Sequence, residues 1–413
     1  MGKIKDIRAR EILDSRGNPT VEATVMLEGG ARGTAKAPSG ASVGKFEAHE
    51  RRDGDQKRYH GMGVLGAVEA VNGEIRSALL GRDSADGQEL DRIMITLDGT
   101  ENKARLGANG MLAVSMAIAR AEANYRGQEL YEYLGNKGKP TLPIPMLNII
   151  NGGVHASNNL EIQEFMIIPV GDVPFSERIR KSAEIYKTLG KILSRLGYST
   201  AVGDEGGYAP NLGSDEDACR LIMQAIFDAG YDEKEIKLGL DVASSEWWKS
   251  GIYEMPKSGV RRRADELCDY YEELTEKYPI ISIEDGMGED DTEGWRKLSD
   301  RLGDKIMLVG DDLFVTNKSR VRMGIDMRLG NAVLIKPNQI GTLWETSRVI
   351  KLAKANGYRT IASHRSGETD DAFISDMAVA YGTEYIKAGA PARGERLAKY
   401  NRLTEIEAIS EKS

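Results

Sequence analysis

Three runs decide the architecture: IISIED at 280–285, IMLVGDD at 306–312 and AVLIKPN at 332–338. Each is an apolar stretch of strand length that breaks off at a charged residue: Glu284, Asp311 and Lys336. Around them lie RADELCDYYEELTEKY (263–278) and LWETSRVIKLAKANG (343–357), whose apolar residues recur at helical spacing. Strand and helix alternating in this way predict βα units and a parallel sheet. Outward from the three runs the pattern recurs in EFMIIP (164–169), KLGLDVAS (237–244), RTIASHR (359–365) and EYIKAG (384–389). Six or seven such units suit a closed β/α barrel better than a doubly wound sheet.

The first third of the chain is patterned differently. Alternation over Val21–Glu28 predicts a half-buried strand, with turn residues in SRGNP and EGG on either side. From about Val64 to Gly135 the period becomes helical, and MLAVSMAIARAEANYRG (111–127) is built of good helix formers up to Gly127. A β-meander followed by helices predicts an α+β module over residues 1–135. The Gly/Pro-rich run GNKGKPTLPIP (135–145) then marks the boundary to a second domain over 136–413.

A length of 413 residues accommodates two domains. The net charge of -8 argues against a nucleic-acid surface, which needs a basic face. A small anionic substrate is compatible, because a few basic residues in a cleft set the local field. No stretch approaches the ~20 apolar residues of a membrane span, and MGKIKDIRAR lacks a signal-peptide core. The expectation is a cytoplasmic protein without membrane insertion. Cys219 and Cys268 fall in helical stretches and are expected as buried small hydrophobes, not as a disulfide.

In a barrel the C-terminal strand ends converge on one mouth, where barrel enzymes place their active sites. There the chain sets Asp241, Glu284, Asp311, Lys336, the triplet His364-Arg365-Ser366, and Lys387. Three carboxylates with no cysteine or histidine among them suit a hard, oxygen-seeking cation, Mg²⁺ in preference to Zn²⁺. A lysine beside such a cation would hold its proton less tightly and could serve as a general base. Alternatively, either lysine is an ion-pair partner of the acids. Arg365 and Ser366 offer a phosphate a guanidinium fork and a hydroxyl, while His364 is either a core residue or a substrate contact. The loops APSGASVG (37–44) and NGGVHASNN (151–159) are lids or ordinary turns. GDEGGYAPN (203–211) places Glu205 among glycines, as a catalytic acid or a surface carboxylate.

With ILDSRGNPTVE (12–22), SGAS (39–42), NGGVHASNNLEIQEFMIIP (151–169), GDEGGYAPN, LDVASSE, SIED, VGDDLFVTN, LIKPNQIGT, SHRSGETDD and GAPARGERLAKYN in this order, the chain resembles the enolase family from end to end. The resemblance implies an α/β fold: an N-terminal α+β domain carrying the SGAS lid loop, then a C-terminal (β/α)8-type barrel with atypical first units. It implies two Mg²⁺ ions, one held by Asp241, Glu284 and Asp311, the second arriving with substrate and completed by Ser39. Lys336 would be the base at C2, and Glu205, supported by Glu164, the acid that protonates the departing C3 hydroxyl. Lys387 would stabilise the enolate, while His155, Gln163, His364, Arg365 and Ser366 would contact substrate. The implied activity is the reversible dehydration of 2-phospho-D-glycerate to phosphoenolpyruvate, a lyase step of glycolysis and gluconeogenesis. The substrate is a small phosphorylated three-carbon acid.

Departures from the family pattern include Gly286, where proline is common, and Gly394, where serine is frequent. The resemblance further implies a homodimer or an octamer of dimers, and it is compatible with a surface or secreted fraction. Two other readings stand beside it. An enolase-superfamily enzyme acting on an acid sugar or muconate would explain the three carboxylates and a lysine, but not Arg365-Ser366, SGAS and Glu205 together. A non-catalytic scaffold on the same fold would tolerate drift at the catalytic positions, all of which are filled here.

Overall fold

A computed structural model of the protein describes residues 2–40, 44–135 and 138–411. Strands β1 (Ile4–Leu13), β2 (Pro19–Leu27) and β3 (Arg32–Lys36) form an antiparallel meander in the order β1-β2-β3. The expected alternation holds for Val21, Ala23, Val25 and Leu27, all buried. The other face of β2 is drier than predicted, because Glu22 is itself buried. Its cross-strand neighbour Arg10 lies over it and pairs with it at 2.6 Å, so the long arginine stem covers what alternation alone assigns to water.

The helical region contains α1 (Gly87–Asp98) and α2 (Ala108–Arg126), the latter ended by Gly127 in the left-handed conformation. Fifteen residues of α2 are buried, on every side of the helix, as expected of a helix packed between layers. Its approach to β3 is so close that a Cβ on Gly33 would lie 2.2 Å from the Ala117 carbonyl oxygen. Asn136 and Lys137 of the expected boundary, and Ala41, Ser42 and Val43 of the expected lid loop, lie outside the described residues.

Eight strands then close a barrel: β4 (Ile144–Asn151), β5 (Glu164–Pro169), β6 (Ile236–Asp241), β7 (Ile280–Glu284), β8 (Met307–Gly310), β9 (Ala332–Ile335), β10 (Arg359–Ser363) and β11 (Tyr385–Lys387). The order around it is β7-β8-β9-β10-β11-β4-β5-β6. All neighbours are parallel except that β5 runs antiparallel to β4 and β6. The cause is local. No crossover α-helix lies between β4 and β5, so the chain doubles back as a hairpin. The first units are therefore atypical, and β5 presents its first residue, Glu164, at the mouth where its neighbours present their last. Glu164 lies in register with both Asn151 and Asp241.

Met146, Met166, Ile168, Met307, Val309, Leu334 and Ile361, which alternate with outward-facing residues, form their own apolar cluster and plug the barrel below the mouth. The helical layer of the N-terminal domain is stitched to helix α3 (Leu343–Ala355). Asp91 of α1 accepts from the Trp344 N–H at 2.9 Å, and Ser115 of α2 accepts from the Leu343 N–H at 3.1 Å. Cys219 and Cys268 are free and buried, as expected. No helix among the described residues is long and apolar enough to cross a membrane.

Candidate active site

The mouth collects the side chains that the strand ends promised. One cavity is lined by His155, Gln163, Glu164, Glu205, Asp241, Asp311, Lys336, His364, Arg365, Ser366 and Lys387, together with Glu47 and Asp312. Glu284 lies just beneath, fully buried, and accepts two hydrogen bonds from Lys387 Nζ at 2.9 and 3.0 Å. The same ammonium donates to Asp241 Oδ2 at 3.0 Å and forms an ion pair with Glu164 Oε2 at 3.1 Å whose angles are not those of a hydrogen bond. Burial alone would lower the affinity of Lys387 for its proton. Asp241, Glu164, Glu284 and Glu205 outweigh it and hold the ammonium well above the usual lysine range.

Lys336, next along the rim, donates to Asp311 Oδ2, whose other oxygen accepts from Gln339 Nε2 at 2.9 Å. The proton on Lys336 is thus held more tightly than in a free lysine, since the Asp311 charge exceeds the effect of burial. Both lysines here face carboxylates, the arrangement of the ion-pair alternative. Asp241, Glu284 and Asp311 do not draw together as one compact set. Lys387 bridges the first two, while Asp311 is engaged by Lys336. The sets whose ligand atoms all fall within 4.8 Å of one another are Asp285-Asp311-Asp312 and His155-Glu164-Glu205.

Opposite Lys336 sits a pair of buried acids. Glu205 comes from a loop threaded beside β4, where Gly207 is obligatory because a Cβ would lie 2.6 Å from Asn151 Oδ1. Its Oε2 accepts from Asn148 Nδ2 at 2.9 Å, and its Oε1 lies 3.5 Å from His364 Nε2 and 3.7 Å from His155 Nδ1. Burial pushes both Glu164 and Glu205 upward. Repulsion from Glu205 pushes Glu164 further, well above the carboxylate range. Around Glu205 burial is opposed by whatever charge the His364 and His155 rings carry and by the fixed charges of Arg396 and Lys387. Two buried carboxyls whose oxygens lie within 4.8 Å of one another favour holding a single proton between them.

The phosphate-binding expectation meets a partner it lacked. Arg365 donates to Glu47 at 2.9 and 3.2 Å and to Asn338 Oδ1 at 3.2 Å. Glu47 belongs to no motif, and only the structure finds it. Ser39 is near but turned aside: its hydroxyl donates to Asp14 Oδ2 at 2.8 Å, and its backbone pairs with Gly367. Gln163 reaches Asp241 Oδ2 at 3.4 Å. Asp285, beside Glu284, accepts from the backbone N–H groups of Asp311 and Asp312 at 2.9 Å each. It too was missed, since only its φ of 42° distinguishes it and that is invisible in sequence. The space left between these groups is small, about 30 Å³.

Two family models match the chain. The enolase N-terminal domain covers residues 4–134, and the enolase C-terminal TIM barrel domain covers residues 139–412.

Proposed function

The chain belongs to the enolase family, and we propose that it is the lyase interconverting 2-phospho-D-glycerate and phosphoenolpyruvate. One observation carries the reading: an amine and a carboxyl pair face each other across the mouth. Lys336 follows β9, Glu164 opens β5, and these strands are four apart in a closed ring of eight. Loss of water from a β-hydroxy acid needs a base on the C2 proton and an acid on the C3 hydroxyl. Groups on opposite sides of the substrate supply both without competing for one proton. In this reading Lys336 takes the C2 proton, and the Glu164–Glu205 pair delivers its shared proton to the departing hydroxyl. Lys387 holds a fixed positive charge where the enolate charge develops. Arg365 and Ser366 receive the phosphate. That requires Arg365 to exchange Glu47 for phosphate, which ties substrate binding to the segment following Ser39.

The residues present fit Mg²⁺. The donors are carboxylate oxygens only, and burial and then repulsion from Asp241 push Glu284 well above the usual range, a surplus of negative charge that a divalent cation would offset. Asp241, Glu284 and Asp311 would hold a first ion by drawing together as Lys387 and Lys336 release them, and Ser39, on leaving Asp14, would help complete a second. Bound Mg²⁺ would supply positive charge to the substrate carboxylate and compete with Lys336 for Asp311, easing proton release from the amine. The test is the ultraviolet absorbance of phosphoenolpyruvate after mixing the protein with 2-phosphoglycerate and Mg²⁺. A rise abolished by EDTA is expected; no rise overturns the assignment.

A further inference from the structure

Arg396 lies in the first turn of α4 (Gly394–Ser410), wholly buried, and does not itself line the cavity. Its guanidinium is fixed on three carbonyl oxygens: Arg365 and Ser366, each at 2.7 Å, and Asp204 at 3.1 Å. The nitrogen that donates to Arg365 also lies 2.7 Å from His364 Nδ1. A guanidinium has donors only and does not lose its proton in proteins. His364 Nδ1 must therefore accept, which leaves one place for the ring proton. The free nitrogen, Nε2, has no hydrogen-bond partner and lies 3.5 Å from Glu205 Oε1.

We infer that Arg396 is a positioning residue that locks His364 as a neutral imidazole with its proton on Nε2, aimed at Glu205. The imidazolium is excluded because it would set an N–H against a guanidinium N–H. A neutral ring so constrained cannot take a proton from its neighbours. The one shared proton then stays on the Glu164–Glu205 pair, where the acid half of the proposed dehydration needs it; this consequence rests on that reading, the tautomer does not. The charges facing the ring act in both directions. Burial lowers His364 most, Glu205 alone opposes it, and Arg396, Lys387 and Lys336 add to the lowering, so the ring is held well below the ordinary histidine range.

The chain has four histidines, so ring-¹⁵N-histidine NMR of the full-length protein without substrate can resolve each, with His364→Gln identifying the signal. Wild type should show the Nε2–H tautomer for His364 with no titration between about pH 5.5 and 8.5. Arg396→Met should release Nδ1: the ring exchanges tautomers or titrates, and kcat acquires a new fall on the acid side, because a ring free to accept at Nδ1 draws the proton from the acid pair and becomes an imidazolium beside ionised Glu205. Arg396→Lys keeps a cationic donor and should retain the wild-type spectrum. A wild-type spectrum showing Nδ1–H or imidazolium overturns the inference, as does an Arg396→Met spectrum unchanged from wild type. The wild-type measurement stands even if neither variant folds. It also separates the two claims: the lock can hold in a protein that fails to turn over 2-phosphoglycerate, and can fail in one that succeeds.

Discussion

Two regions of this molecule bury carboxyl groups, and they do so on opposite terms. At the seam between the N-terminal helices and α3, Asp91 has a backbone N–H to accept from, and Lys103 pairs with Glu345 at 3.1 Å. No polar atom of Asp91, Ser115, Lys103 or Glu345 is among the buried atoms without a hydrogen-bond partner. At the barrel mouth, by contrast, Glu164 Oε2, His155 Nδ1, His364 Nε2 and Asn148 Oδ1 all lack one. Buried polar groups in folded proteins are as a rule satisfied, so a cluster of exceptions needs a reason. The seam spends its polar groups on holding helices together. The mouth withholds several of its own, as a site that must receive a ligand does.

Substitutions at the mouth should break this contrast most visibly if it is wrong. Burial and then repulsion from Glu205 hold Glu164 well above the usual carboxylate range, and glutamine copies a protonated carboxyl, so Glu164→Gln should leave urea-unfolding stability within about 0.5 kcal/mol. Turnover should nevertheless fall by roughly 10²–10⁴-fold, the usual contribution of a general acid. A large loss of stability with turnover intact would make Glu164 a structural group like those at the seam. Lys336→Ala and Glu205→Gln divide the reaction further. The lysine variant should lose exchange of the C2 proton with solvent, whereas the glutamine variant should retain exchange and lose dehydration. The opposite pattern would swap acid and base.

Inside the N-terminal domain the ordering should invert. Gly33→Ala pushes a methyl into the Ala117 carbonyl, and backbone cannot yield as a side chain tip can. We expect a stability loss of about 2 kcal/mol or more in chemical denaturation, with normal turnover per folded molecule. Reduced turnover in the folded fraction would show that the β3–α2 contact transmits to the mouth.

Most of this was legible in the chain, and the exceptions have physical causes. Strand ends could be read because a buried strand is a continuous apolar run and its charged terminator stands out, as at Glu284 and Lys336. Glu164 stands first in its run, and only the reversed direction of β5 brings it to the mouth; resemblance to a family supplied it, periodicity did not. Which carboxyl of the pair holds the acid proton is not legible in sequence, because it depends on His364, Arg396 and Lys387, which lie about 160 to 190 residues beyond Glu205. Glu47 and Asp285 were missed because one is an ordinary loop acid in sequence and the other is marked only by its backbone angle.

The smallest expected effect tests whether the seam is as settled as its hydrogen bonds imply. Burial raises Asp91 from 3.8 to about 7, against the lowering by Trp344 and Ser115. Between those values the folded state keeps a proton that the unfolded chain has released, so stability falls as pH rises through this range and the full penalty applies above about 7. Asparagine can still accept from Trp344 but never ionises. Asp91→Asn should therefore be more stable than wild type near pH 8, by on the order of 1 kcal/mol, with the gap closing toward pH 5 in paired urea titrations. A gap of the same size at both values would mean that Asp91 is charged throughout. The seam would then hold an uncompensated buried anion, and its difference from the mouth would be one of degree.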